Sequence, residues 1–373
     1  MATIPPLTTW SVGELPTSAI LNSRIRDAIN FLKSPPLAIF RKTANQNTSS
    51  GTWTAINWDV EDVDTDGGHS NVTNNTRYTA QTAGWYLVTG QIHWTANATG
   101  FRELRFRKNG SNTDLYGWNV MRANDSSEAA DIQSVAYVFL AVNDYVEVQA
   151  LQSSGGTLAT FNDGQDCRFE VRWVRMDDAV ARTLPAPRTW SAGLWSVGHL
   201  NVDVRDVLGW LLAPPMAVLQ KRNGNQEARK VIGNTYYEAE ITWDTVVLDT
   251  HGGFDGSAPT RYTAPYDGWY HAVVQLQWSD PGYQAAPTGW HRTQCFRKVR
   301  GGDALHANYF GDPAAYESKS YVTAGHVRLL AGEYISVFTS AILESLNGPA
   351  QIAGYDGATF LGCRWDIRWV SKL

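Results

Sequence analysis

Asp62, Asp64 and Asp66, spaced two apart and followed by Gly67, match the opening of a calcium loop, where alternate side-chain oxygens ring a hard cation. The complete loop needs a carboxylate at its twelfth position, and Thr73 stands there. A later repeat of the stretch carries Val247, Asp249 and His251 at the matching places. An EF-hand is therefore excluded. The acidic group Asp59, Glu61, Asp62, Asp64 and Asp66 is expected to be a solvated turn, with a surface calcium ion as the sharper alternative. The eight histidines are scattered, without His-Glu-x-x-His spacing and with no Cys-x-x-Cys beside them. His69, His93, His271 and His291 are expected on strand faces or loops rather than around zinc. No Gly-x-Ser-x-Gly elbow and no phosphate-cradling glycine loop occurs. A carboxylate pair for glycoside hydrolysis stays open, because its separation is a property of the fold. The expectation is a chain without cofactor and without catalytic residues.

Of three cysteines, Cys167 and Cys363 fall in matching sequence and read as small buried residues, while Cys295 has no counterpart. An odd count and no secretory signal at Met1 to Trp10 lead to an expectation of reduced thiols and assembly inside a cell. Net charge of −5 argues against bare nucleic acid as partner. No long apolar run marks a membrane span, so no membrane insertion is expected.

The elements that must position these residues are written twice. At 373 residues the chain suits two domains. Trp10-Ser11 returns as Trp190-Ser191, Arg26-Asp27 as Arg205-Asp206, and Pro35-Pro36 as Pro214-Pro215. Arg77-Tyr78-Thr79-Ala80 returns as Arg261-Tyr262-Thr263-Ala264, Gly84-Trp85-Tyr86 as Gly268-Trp269-Tyr270, and Arg172-Trp173-Val174 as Arg368-Trp369-Val370. The order never breaks, so a unit of about 180 residues is duplicated, a size suited to a domain. The expected division is 1–36 leader helix, 37–176 first domain, 177–216 linker and second leader helix, and 217–373 second domain.

Each leader shows helical spacing: Ile20, Leu21, Ile25, Ala28, Ile29 and Leu32 in one, Leu200, Val204, Val207, Leu208 and Leu211 in the other. Thr17 or Ser18 can cap the first, and the double prolines stop both. Beyond them the period becomes two, as in Arg168 to Val174, with Gly-, Asn- and Asp-rich turns between. Sixteen Trp and 32 Gly against four Met favour sheets over helices. The fold class is all-β: two tandem jelly-roll β-sandwiches, each preceded by a short N-terminal helix.

Arg77 to Ala80 followed by Gly84-Trp85-Tyr86-Leu87-Val88 resembles the central signature of the complement-type globular head within the tumour-necrosis-factor jelly-roll superfamily. Asp144 to Val148 resembles the acidic turn and strand that follow, and Phe169 to Trp173 the closing strand. The second copy matches at Arg261 to Tyr270, Glu333 to Val337 and Thr359 to Trp369. The opening Trp10-Ser11, Asn22, Arg26-Asp27, Phe31-Leu32 and Pro35-Pro36 resembles the leader of virion proteins in phages of actinobacteria. The resemblance implies a ten-strand jelly roll assembling as a homotrimer, with aromatic and apolar residues on the three-fold axis.

The copies differ in two loops. Between Trp94 and Phe106 the second copy gains six residues, including Pro281, Tyr283, Trp290 and His291; before Thr359 it gains about ten, carrying Asn347, Tyr355 and Asp356. Loops diverge on a constant scaffold when they meet something different. Tyr283, Trp290, His291, Tyr355 and Asp356 are thus the candidate binding residues, facing host cell-wall glycan or protein. The expected function is a phage virion structural protein at the tail tip, baseplate or fibre, a homotrimer with other virion structural proteins as partners. The alternatives are a capsid decoration or head-fibre protein and a glycan-degrading depolymerase.

Overall fold

The computed structural model describes residues 4, 7–123, 129–160, 167–177, 196–227, 239–279, 291–298, 304–311, 319–342, 351–352 and 363–372. In the first unit the helical segments Ser18–Leu21, Asn22–Arg26 and Asp27–Lys33 run as one leader helix with a π turn at its centre. Thr17 is the cap, its side-chain oxygen accepting from the Ile20 amide at 3.3 Å. The second leader repeats the pattern through Val197–Leu200, Asn201–Asp206 and Val207–Leu212, with Ser196 as cap.

Spacing alone places Leu32 and Leu211 on the buried faces; the structure buries Phe31 and Trp210 and leaves Ile29 and Leu211 more than two-fifths exposed. The reason lies beneath the helix. Phe31 packs edge-on against Trp173 at 4.7 Å, and Trp210 packs edge-on against Trp369 at 4.3 Å. An aromatic ring on an indole buries more area than a leucine does, so each helix is rolled to face it inward.

The first unit's large sheet contains β1 (Leu37–Arg41), β2 (Gln46–Thr48), β4 (Val60–Asp64), β6 (Gly84–Trp94), β9 (Ala130–Leu140), β11 (Leu158–Thr160) and β12 (Arg168–Arg175). Their order is β9-β6-β12-β1-β4, with β11 and β2 continuing beside the end of β6. The small sheet runs β8 (Leu115–Arg122), β7 (Phe101–Lys108), β10 (Tyr145–Gln152), with β3 (Thr54–Ala55) and β5 (Arg77–Thr79) both on the far edge of β10. All the pairings within both sheets are antiparallel.

The second unit repeats this order strand for strand. Its large sheet is β21 (Lys319–Leu329), β18 (Gly268–Ser279), β24 (Cys363–Ser371), β13 (Met216–Lys221) and β16 (Thr245–Asp249), with β23 (Gln351–Ile352) and β14 (Gln226–Glu227). Its small sheet is β20 (Ala304–Gly311), β19 (His291–Lys298) and β22 (Tyr334–Ile342), with β15 (Ala239–Glu240) and β17 (Arg261–Thr263). The chain is thus all-β with short helices before each β-rich region, two sandwiches in tandem. Among the described residues each unit has twelve strands, where the resemblance implies ten; the surplus is short edge pieces such as β2 and β3.

The repeated motifs are structural in both copies. Trp58 stacks on Phe169 at 5.6 Å, and Trp243 packs on Trp365 at 5.5 Å. The indole N–H of Trp173 donates to the Ala83 carbonyl, and that of Trp369 donates to the Asp267 carbonyl. Arg77 lies over the Tyr145 ring at 4.2 Å, and Arg261 lies over Tyr334 at 4.7 Å, joining β5 to β10 and β17 to β22. Cys167 and Cys363 are buried as expected, and burial pushes the Cys363 thiol up to about 12. Among the described residues no helix is long and apolar enough to cross a membrane.

Candidate functional site

The acidic turn after β4 comes first. Asp62 pairs with Arg41 across the β1–β4 edge at 2.5 Å, and that guanidinium holds its carboxyl below the usual carboxylate range. Asp64 turns back on its own loop, accepting from the amides of Gly67, Gly68 and His69. Asp66 points inward, where the Tyr78 hydroxyl donates to both its oxygens at 3.1 and 3.2 Å, and burial lifts its pKa. The three carboxylates face three different partner sets, and among the described residues no group of three His, Cys, Asp or Glu side chains could hold a metal.

The duplicated acids follow suit. Asp249 repeats Asp64 by accepting from the amides of His251, Gly253 and Phe254. Asp59 accepts from the Thr43 amide as Asp244 does from Arg222. Asp27 and Asp206 pair with Arg26 and Arg205 at 2.7 and 2.6 Å on the surface, as the sequence suggests.

An expected outcome follows for Asp62. Its pKa is depressed in the folded state, so its contribution is present above the unfolded value of about 4 and is lost as pH falls below it. Because the pair is surface-lying, Asp62→Asn should cost no more than about 1 kcal/mol at pH 7, and should flatten the acid limb of a melting-temperature titration. Added chelator should leave the melting temperature in place. A fall of several degrees on chelation would show that an ion links these carboxylates.

Of the candidate binding residues, Tyr283, Trp290, Tyr355 and Asp356 lie outside the described residues. The backbone of His291 opens β19, paired with Gly311 on one side and Ile342 on the other.

Two side-chain groupings were not expected. The first is on the small sheet of the first unit, where Arg105 lies over the Trp53 ring at 3.7 Å and near Trp118 at 6.0 Å. Its Nε donates to Gln149 Oε1 at 2.9 Å, the Trp118 indole donates to Glu103, and burial lowers the Arg105 pKa to about 10. Trp53 and Trp118 have no tryptophan counterpart in the second copy, and this stack is what they build.

The second is the junction of the two units. Trp85, Tyr137 and Val174 on the outer face of the first large sheet, with Leu87, Val135 and Phe139, pack on Met216, Val218, Val273 and Val322 of the second. Polar contacts stitch the seam. Arg175 donates to the Pro214 carbonyl at 2.9 Å, Arg368 to Val174 at 2.7 Å and Arg364 to Tyr137 at 3.0 Å. The Trp118 amide donates to Gln275 at 3.0 Å, and the Tyr137 hydroxyl bonds His271 Nδ1 at 2.8 Å. The leaders also meet, since the Trp10 amide donates to Asn201 Oδ1 and Asn201 Nδ2 donates back to the Trp10 carbonyl.

The contact is head to tail. Trp85 is 6% exposed, whereas its repeat Trp269 is 42% exposed; Val174 is 7% exposed and its repeat Val370 39%. Conversely Met216 and Val218 are fully buried, while Leu37 and Ile39, their counterparts on β1, are half-buried. Each unit therefore uses a different patch, and the complementary half of each patch stays open. The sequence signal for the junction was the loss of alternation in Met216-Ala217-Val218-Leu219 and in Val135 to Phe139, the mark of strands covered on both faces.

No family model and no curated protein matches the chain. Among solved structures it is similar to murine APRIL, with 12% identity, 37% of this chain and 98% of that one covered, and a TM-score of 0.29. It is also similar to the Eiger TNF of S. frugiperda, with 11% identity, coverage of 38% and 96%, and a TM-score of 0.30. The globular domain of zebrafish complement 1qA matches with 12% identity, coverage of 43% and 98%, and a TM-score of 0.28.

Proposed function

We propose that the chain is a non-enzymatic structural protein of a phage virion, a component of the tail tip, baseplate or fibre that contacts the host surface as a homotrimer. The observation that supports self-association is the head-to-tail junction with its two halves left open. A heterologous contact of this kind recruits further copies until the rotation closes. Trp269 and Val370 on one unit and Leu37 and Ile39 on the other are the faces on offer. The number three comes from the family resemblance, and the virion setting from the leader motif. Within it, the two stretches gained by the second copy, one with Tyr283, Trp290 and, at the start of β19, His291, the other with Tyr355 and Asp356, face the host cell wall, and the remaining surface meets other virion structural proteins. The duplicated acids Asp27, Asp59 and Asp64 and their repeats are already engaged by their own loops or neighbouring arginines, which favours a scaffold over a glycan-cleaving site.

Light scattering of the purified chain should give the mass of three copies, and Trp269→Arg should lower it to one. A single-chain mass for the unmodified protein at micromolar concentration overturns the trimer. Immuno-gold labelling of particles should mark the tail. Gold on the capsid would replace this reading with a decoration protein, and release of oligosaccharide from host wall would replace it with a depolymerase.

A further inference from the structure

Between the units lies a cavity of about 320 Å³. Its wall includes matching positions of the two copies: Leu87 and its repeat His271, Tyr137 and its repeat His326, and Arg172 and its repeat Arg368. The first member of each pair comes from β6, β9 or β12, and the second from β18, β21 or β24. Duplication has placed two arginines around one space, and divergence from Leu87 and Tyr137 has added two histidines whose rings lie 4.7 Å apart. Leu32, Val174 and other apolar side chains complete the wall, and no carboxylate is among the described residues that form it.

Arg368 is the unusual group. Burial pushes its pKa down, its Nε is buried with no hydrogen-bond partner, and its described partners, the Val174 carbonyl and the Tyr137 hydroxyl, are both neutral. The nearest acid on its strand, Asp366, is taken by Arg364 at 2.9 Å. A guanidinium with neutral partners and no counter-charge is costly to remove from water, and an oxyanion placed beside it offsets that cost with paired, charge-assisted hydrogen bonds. The size is at the lower end of small-molecule sites.

We propose that this cavity binds a small organic oxyanion, a carboxylate or phosphate on a sugar-sized body, held by Arg368 and Arg172, with Tyr137 and the two histidines as further hydrogen-bonding groups and the aliphatic wall against its body. All the residues that line the site belong to one chain, so the proposal does not rest on trimer formation or on any virion role.

The test is calorimetric titration of the full chain at fixed ionic strength with glucuronate, with glucose 6-phosphate and with neutral glucose. Saturable binding of one anion per chain is expected for at least one of the two acids, and none for glucose. The glucuronate and glucose 6-phosphate arms separate a carboxylate ligand from a phosphate ligand. Arg368→Met should weaken binding at least tenfold. If that variant does not fold, Arg172→Met, at a more exposed position, takes its place with the same expectation, and His326→Tyr, which restores the first copy's residue, should weaken it less. Absence of saturable heat for both acids at tens of millimolar overturns the proposal, as does binding that survives Arg368→Met, or Arg172→Met in its place, unchanged.

Discussion

Replacing Gly268 with alanine is expected to lower the melting temperature of the second unit by several degrees, and Gly84→Ala should do the same to the first. A Cβ at Gly268 would lie 2.6 Å from the Ser371 carbonyl and closer still to the indole nitrogen of Trp369; at Gly84 the same collision involves Arg175 and Trp173. Neither obstacle is the free end of a flexible chain. To make room, the Trp369 indole must leave the Asp267 carbonyl, 3.1 Å away, and its edge-on contact with Trp210. Overpacking of this sort costs about 1–3 kcal/mol, and the stranded indole N–H adds about 1 kcal/mol or more. At about 2–4 °C per kcal/mol for a unit of this size, the loss is roughly 5–15 °C. Gly256→Ala is the control, since a Cβ there meets nothing within 4 Å. Scanning calorimetry separates the outcomes. A shift in the Gly268 variant no larger than in the Gly256 control would mean that the Trp369 lid does not close on the start of β18.

The same glycines show why the fold was legible in the sequence. Gly84-Trp85-Tyr86 and Arg172-Trp173-Val174 are distant along the chain, yet β6 and β12 pair directly, so one structural need keeps both motifs in both copies. Arg77 and Tyr145 form another such couple. Identity between copies is blind to substitutions that keep a role. Trp210 and Trp365 have no tryptophan counterpart in the first copy, but the structure sets them where the first unit has Phe31 and Phe169, ring for ring. The junction escaped for a different reason. It is made by outer faces, and loss of alternation marks an apolar outer face without saying whether it is covered, because that depends on where the other unit docks. Leu37 and Ile39 are as apolar as Met216 and Val218, yet only the latter pair is fully covered in one chain.

The cavity was hidden twice over. Its arginines sit in a motif kept in both copies, Arg-Trp-Val, and so read as scaffold. Its histidines occupy places where the first copy has Leu87 and Tyr137, so no repeated polar signal marks them. Only the docking of one sheet against the other puts Arg172 and Arg368 around the same space.

That docking can be challenged at Asp366. This residue is 2% exposed and accepts from Arg364 Nε through both oxygens, at 2.9 and 3.0 Å. Burial works against the charge of Arg364, but Asp366 beside it prevails and holds its pKa above the ordinary value. The same guanidinium donates to the Tyr137 carbonyl across the seam and lies 5.2 Å from the Tyr116 ring. Asp366→Asn removes the balancing charge and leaves the guanidinium buried between the units. Breaking a buried pair from one side costs about 3–5 kcal/mol, whereas replacing both members by apolar residues of similar volume is often close to neutral. Asp366→Asn should therefore lower stability by that amount and split the unfolding of the two units into separate calorimetric transitions. Arg364→Met combined with Asp366→Leu should recover most of the stability. A surface role for the pair predicts small effects for both variants and an unchanged unfolding profile, because an ion pair in water contributes less than about 1 kcal/mol. Coupling lost in the single variant and regained in the double one is the outcome that only a packed seam between the sheets produces.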